Sequence, residues 1–240
     1  MTLILHAAMI SDPGLVRTNN EDAAYAGDRL LAVADGIGGQ PSGEVASDIA
    51  ISTLAPLERS TGGQEPVAAL RGAVEVANRR IREMAQSHPE SEGMGTTVTA
   101  LLLTGDEFAV VHAGDSRGYL LRDGALHQLT RDDTFVQELV DRGVLTPEEA
   151  RYHPQRSLVT RAVQGAEVPP DTWTFPARAG DRLLLCSDGL SDYVEESLVR
   201  QALTGLADRY ECAEQLVKLA HQAGAPDNVT VVIADLTPST

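Results

Sequence analysis

The chain has 240 residues, 42% of them hydrophobic, enough for one large domain with a sizeable core. Its 35 acidic against 19 basic residues leave a formal net charge of -16, which argues against nucleic acid or an anionic membrane surface as the main partner. No apolar stretch approaches the roughly 20 residues of a membrane span, and two cysteines in apolar or helical settings, Cys186 and Cys212, suit a reducing cytoplasm.

Residues 3–10 read as a strand, since the apolar start MTLILHAAMI lacks the basic flank of a signal peptide. Residues 11–20 are polar and broken by Pro13 and Gly14, a loop that carries Arg17 and leads to Glu21 and Asp22. An extended stretch begins at Tyr25, and 30–34 is a buried strand. A helix runs from Ser42 to about Leu57, and 59–64 is a polar, Gly-rich loop. Pro66 opens a longer helix, with Leu70, Val74, Ala77 and Ile81 at core-packing spacing, which stops before His88-Pro89. Strands follow at 96–103 and 108–113, then a hairpin around Asp123-Gly124. His112, inside a strand, reads as a packed, hydrogen-bonded histidine.

Residues 132–157 carry few large apolar side chains. Two short helices are expected there, the second opened by Thr146-Pro147-Glu148-Glu149 with capping-box spacing, and together they suggest a surface flap. Residues 158–163 resume the core pattern, and 171–175 form an edge strand between prolines. A strand at 182–186, helices at 194–203 and 209–223, and a strand at 229–235 complete the chain. With no linker or repeat, this is one α+β domain over 1–240, its sheets mostly antiparallel and its helices outside them.

Four of the predicted strands carry an aspartate at one end: Asp35 before Gly36, Gly38 and Gly39; Asp115 after Gly114; Asp188 after Ser187; and Asp227 ahead of Asn228 and Val229. One such strand end is an ordinary turn. Four gathered at one sheet edge would repel strongly without cations among them. All-oxygen ligands then favour Mg²⁺ or Mn²⁺.

The motifs that span the chain are Gly14-Leu15-Val16-Arg17 with Asn20-Glu21-Asp22, Val33-Ala34-Asp35-Gly36-Ile37-Gly38-Gly39, Gly95-Thr96-Thr97 and Ala113-Gly114-Asp115-Ser116-Arg117. Then come His153-Pro154, Thr160-Arg161, Cys186-Ser187-Asp188-Gly189-Leu190 and Asp227-Asn228-Val229-Thr230. In this order they resemble the metal-dependent PP2C-type (PPM) serine/threonine phosphatases in their compact bacterial form. The resemblance implies a central sandwich of two antiparallel sheets with helices on both outer faces and a small helical flap. It implies that Asp35 bridges two Mg²⁺ or Mn²⁺ ions, that the Gly36 carbonyl binds one and that Asp188 and Asp227 bind the other. Asp115 with Asp188 matches a third site. Arg17 matches the substrate-phosphate arginine, Glu21 and Asp22 match groups that order metal-bound water, and Asn228 stands with them around the ligands.

The implied reaction is attack of a metal-bridging hydroxide on phosphoserine or phosphothreonine, with Arg17 stabilising the developing charge. The implied partners are phosphorylated proteins of a bacterial Ser/Thr kinase pathway, met by a cytoplasmic monomer. Ile37, Gln40 and Asp133 stand where relatives often carry Met or His, His, and His; the leaving alkoxide is therefore expected to take its proton from metal-bound water. Val163-Gln164-Gly165 is one residue longer than the usual pattern. A binding module on the same fold conflicts with the complete set of matched ligands, and a hydrolase of small phosphate metabolites is the remaining alternative.

Overall fold

The computed structural model describes residues 2–38, 42–59, 65–166 and 169–239. Gly39, Gln40 and most of the loop predicted at 59–64 lie outside the described residues. In chain order come β1 (Leu3–Asp12), β2 (Asp22–Ala26), β3 (Leu30–Ile37), α1 (Ser42–Leu54) and α2 (Pro66–Ser87). Next are β4 (Gly95–Thr96), β5 (Val98–Thr104), β6 (Glu107–Ala113), β7 (Arg117–Arg122), β8 (Ala125–Gln128), α3 (Phe135–Asp141) and α4 (Pro147–Arg151). The last are β9 (Asp171–Pro176), β10 (Arg182–Cys186), α5 (Asp188–Ser191), α6 (Glu196–Gly205), α7 (Arg209–Gln222) and β11 (Val229–Pro238).

Two sheets face each other, as expected. One has five strands in the order β1-β11-β10-β7-β8; the other has six, β2-β3-β5-β6-β9 with β4 paired to β3. Every pairing is antiparallel. Between the sheets Leu31, Val33, Leu101, Val110, Leu185 and Val232 form one cluster. Their strand neighbours Leu30, Ala32, Ala100 and Val111 point the other way, against Ala46 and Ile49 of α1 and Leu70, Val74 and Ile81 of α2. Leu184, Val231 and Ile233 likewise pack on Val199 of α6 and Leu216 of α7. A strand covered on both faces needs apolar residues at every position, which is why these runs show no alternation in the sequence. A fully buried side chain of this size contributes about 1.5–3 kcal/mol.

The helix ends follow their local chemistry. Glu65 accepts from the Val67 and Ala68 amides ahead of Pro66, and Thr146 with Glu149 forms the expected capping box. Some boundaries differ from expectation. β1 runs on through Ser11 and Asp12, because both pair with the start of β11. β3 continues through Asp35 and Gly36 to Ile37, so Asp35 lies within the strand, opposite Asp22 of β2. Residues 158–163 resume the core only at Ala162 and Val163, which are buried; single bridges join Val159 to Thr134, ahead of α3, and Val163 to Thr96 of β4. Side-chain ion pairs of Arg161 fix that segment in place of a ladder. α6 begins two residues later than expected, and the one-turn helix α5 was not expected.

Candidate active site

At one end of the sandwich the inward-facing positions change character. Two residues beyond Val33 stands Asp35, beyond Val110 His112, and beyond Leu185 Ser187; two residues before Leu101 is Thr99, and before Val232 Thr230. The strand period of two thus sends polar side chains into the gap that aliphatic ones fill further along. They bond across it. Ser187 Oγ donates to Asp22 Oδ2 at 2.7 Å from one sheet to the other, while within the five-stranded sheet Ser11 Oγ lies 2.7 Å from Thr230 Oγ1 of the neighbouring strand. Asp35 is fixed through its backbone. Its N–H donates to Thr97 Oγ1 at 2.9 Å, while its carbonyl accepts from the Thr97 amide at 2.8 Å and the Thr96 hydroxyl at 2.9 Å.

A cleft of about 440 Å³ opens at this end, lined among others by Arg17, Glu21, Asp35, Gly36, Asp115, Asp188 and Asp227. The four expected carboxylates therefore share one cavity. Burial, then repulsion by Asp22, Asp188, Asp115 and Asp227, holds the Asp35 carboxyl well above its ordinary pKa. Burial and the charges of Asp115, Asp192 and Asp227 do the same to Asp188. Asp115 is pushed up to about 7 by burial and by Asp132 and Asp192. Asp22 stands behind the cleft wall and is pushed up to about 6, mainly by burial. A second, mostly apolar hollow of about 350 Å³, between α2 and Ala162, Val163, Ala166, Pro169 and Pro170, contains none of these carboxylates.

Arg17 is not free in the cleft. Its Nη2 donates to Asp227 Oδ2 at 2.9 Å, with about half of the arginine side chain exposed. Two glycines make this approach possible. Gly14 has φ +77° and its Cβ position would lie 2.2 Å from the Asp227 carbonyl; a Cβ on Gly189 would lie 1.9 Å from the Asn228 carbonyl. Asn228 does not line the cleft. It accepts from the Glu21 amide at 2.8 Å and donates to the Pro13 and Asn19 carbonyls at 3.0 and 2.8 Å, stitching the Arg17 loop to β11. Glu21 is nearly buried and accepts from Asn19 at 2.8 Å.

The flap meets the site through two acids. Asp132 pairs with Arg117 at 2.7 Å. Asp133 pairs with Arg161 at 2.7 Å and accepts from the Gly114 amide at 3.0 Å. Asp133 thus clamps the turn before Asp115 and does not line the cleft. Sequence reasoning missed Asp192, whose burial places a further acid beside Asp188, and Ser157, which lines the cleft. Asp192 lies one helical turn from Asp188, a spacing that could have drawn attention to it; Ser157 carried no signal.

The residues fit a hard cation. Asp22 Oδ1 is buried with no hydrogen-bond partner, and the cleft gathers five acids, Glu21 and the four aspartates, with one arginine. Protons at raised pKa stand in for missing positive charge, and a divalent ion on oxygen donors can displace them. Among the described residues, no three His, Cys, Asp or Glu side chains stand close enough to grip an ion as placed.

Two facing antiparallel sheets, outer helices and an acid cleft at one end define a class, and the chain belongs to the protein phosphatase 2C family, whose match covers residues 17–227. The serine/threonine protein phosphatase PstP of Mycobacterium tuberculosis is 55% identical over 236 residues, 98% of this chain. The chain spans about half of that relative's length, 46%. The serine/threonine phosphatase stp of Listeria monocytogenes is 34% identical over 242 residues, covering 96% of each chain. A crystal structure of the PstP catalytic domain in complex with two manganese ions superposes with a TM-score of 0.94 at 52% identity, covering 99% of this chain and 100% of that one.

Proposed function

We propose that this chain is a metal-dependent protein phosphatase that hydrolyses phosphoserine and phosphothreonine. The observation that carries the reading is the gathering of Asp35, Asp115, Asp188 and Asp227 with Arg17 around one cleft. It is supported by relatives described as serine/threonine phosphatases and by one solved with two manganese ions. Asp35, the Gly36 carbonyl, Asp188 and Asp227 would hold two Mn²⁺ or Mg²⁺ ions, with Asp115 and Asp188 as a third site. When bound, such ions supply a water of lowered pKa and a counter-charge to the phosphate.

The chain's own residues do the rest. Arg17 exchanges Asp227 for two phosphate oxygens, which its planar fork can bind in parallel. Asp22 and Glu21 border the ligands, Ser187 holds Asp22 in place, and Asn228 fixes the loop that carries Arg17. Thr96 and Thr97 hold Asp35 so that little reorganisation accompanies the reaction.

We read 1–240 as one phosphatase domain with a flap at about 132–157 that discriminates between phosphopeptides. Substrates are phosphoproteins of a Ser/Thr kinase pathway, and the chain acts as a cytoplasmic monomer. No described helix is long and apolar enough to cross a membrane. The test is hydrolysis of a phosphothreonine peptide and of a phosphosugar with Mn²⁺ and with chelator. Mn²⁺-dependent turnover of the peptide, abolished by chelator, is expected. Turnover of the phosphosugar alone would reassign the substrate to small metabolites.

A further inference from the structure

His112 is buried at the cleft end of β6, and no step above uses it. Its Nε2 lies 2.9 Å from the Arg131 carbonyl, and its Nδ1 lies 2.9 Å from Thr99 Oγ1. A carbonyl only accepts, so Nε2 carries a proton. Thr99 Oγ1 also lies 2.7 Å from the Ser116 carbonyl, which again only accepts. The threonine hydroxyl has one proton. With a neutral ring, Nδ1 is a bare acceptor, and Thr99 can donate to Nδ1 or to Ser116 but not to both. With both ring nitrogens protonated, Nδ1–H donates to Thr99, Thr99 donates to Ser116, and every bond is made. The string continues, since Ser116 Oγ lies 2.7 Å from Thr97 Oγ1, which accepts from the Asp35 amide at 2.9 Å.

We propose that His112 is a positioning residue for the phosphatase reaction. Its doubly protonated ring completes a hydrogen-bond string from the Arg131 carbonyl, at the base of the flap, to Ser116 beside Asp115 and on through Thr97 to Asp35. The role rests on the phosphatase reading above. Thr97, Thr99 and Ser116 are all buried, so a bond given up here is not replaced by water, and the backbone beside two candidate ligands loosens.

The groups around the ring come from three other segments. Asp132 and Asp133 at the flap base favour the cation and Arg161 disfavours it; Asp171 of β9 stands opposite His112 in the ladder. Burial outweighs the acids and pushes the ring below the ordinary histidine pKa. The complete string therefore belongs to the acid side of the ring's titration. As pH rises through that lowered value the Nδ1 proton leaves, and one of the two Thr99 bonds is lost.

Ring ¹⁵N spectra of the Mg²⁺-loaded wild-type protein test this without any activity measurement, so its failure is distinct from failure of the phosphatase reading. A doubly protonated His112 that gives way to the Nε2–H tautomer as pH rises is expected. A bare Nδ1 at every pH at which the chain is folded overturns the proposal. Kinetics give a second arm on an aryl phosphate at saturating Mg²⁺. H112N keeps an uncharged N–H donor near the Nδ1 position, and H112Q keeps one near Nε2. H112Q should lose about tenfold in kcat with KM changed less than about twofold, while H112N stays within about threefold and its kcat relative to wild type rises with pH. Equal kcat for wild type, H112N and H112Q at every pH would also overturn it.

Discussion

Arg17 Nη2 sits 2.9 Å from Asp227 Oδ2, so the expected phosphate clamp and an expected cation ligand are bonded to each other. The two residues are 210 positions apart and meet because the Gly14 turn packs on the Asp227 backbone. A cation that takes Asp227 releases Arg17 toward the cleft, and an arginine drawn off by phosphate leaves Asp227 to the cation. Substrate and metal should therefore favour one another.

Arg17→Ala is expected to lower kcat/KM on a phosphothreonine peptide by roughly 30- to 1,000-fold, the loss of about 2–4 kcal/mol of transition-state binding. Arg17→Lys should recover only part, because the fork is lost. From the sequence alone, metal affinity is expected to be indifferent to Arg17. The ion pair changes that expectation: Mn²⁺ should bind Arg17→Ala more tightly than wild type by calorimetry. Weaker binding would show that the pair does not compete with the ion.

Asp35→Asn removes the charge that four neighbouring acids oppose. Activity with Mn²⁺ should nearly vanish, while the melting temperature of the metal-free chain rises. Wild-type turnover in this variant would remove Asp35 from the candidate ligands.

Asp115→Ala should reduce turnover while two ions still bind by calorimetry, if Asp115 belongs to a third site as proposed. Loss of all tight binding would instead place Asp115 among the ligands of the first two ions.

The metal-free fold should be more stable at mildly acidic than at alkaline pH. Asp22 and Asp115 are raised to about 6 and about 7 in the folded chain, so over the window from the ordinary aspartate value to these values the folded state binds more protons than the unfolded one. Stability is then lost as pH rises through them. Saturating Mn²⁺ should flatten the dependence and raise the melting temperature, since it neutralises the same charges. Denaturant titrations across this range with and without Mn²⁺ measure it; a metal-free chain that gains stability toward pH 8 contradicts it.

Arg161→Ala leaves the nearly buried Asp133 without its guanidinium partner. Breaking such a pair costs about 3–5 kcal/mol. Arg161 also holds Asp171 and anchors the segment after the flap, so protease cleavage between residues 132 and 163 should increase along with the loss of global stability. Unchanged unfolding curves would show that the pair is replaceable by water.

Local chemistry was legible without the fold. Apolar runs marked β3, β6, β10 and β11, the Thr146–Glu149 capping box marked α4, and the recurrence of aspartate at strand ends pointed to a cation site before any contact was known. These signals act over a few residues and need nothing beyond propensity and spacing. The face each side chain takes was not legible, because strands buried on both sides carry no alternation. Only the packing of the two sheets decided that Val33 and Asp35 share the inner face, that Asp22 lies opposite Asp35, and that Ser187 reaches Asp22 from the other sheet. The Arg17–Asp227 and Arg161–Asp133 pairs and the contested Thr99 proton likewise join segments whose meeting no local preference encodes. Their geometry is set by strand register and by backbone approaches that only glycine at positions such as 14 and 189 allows, and both are properties of the packed sandwich.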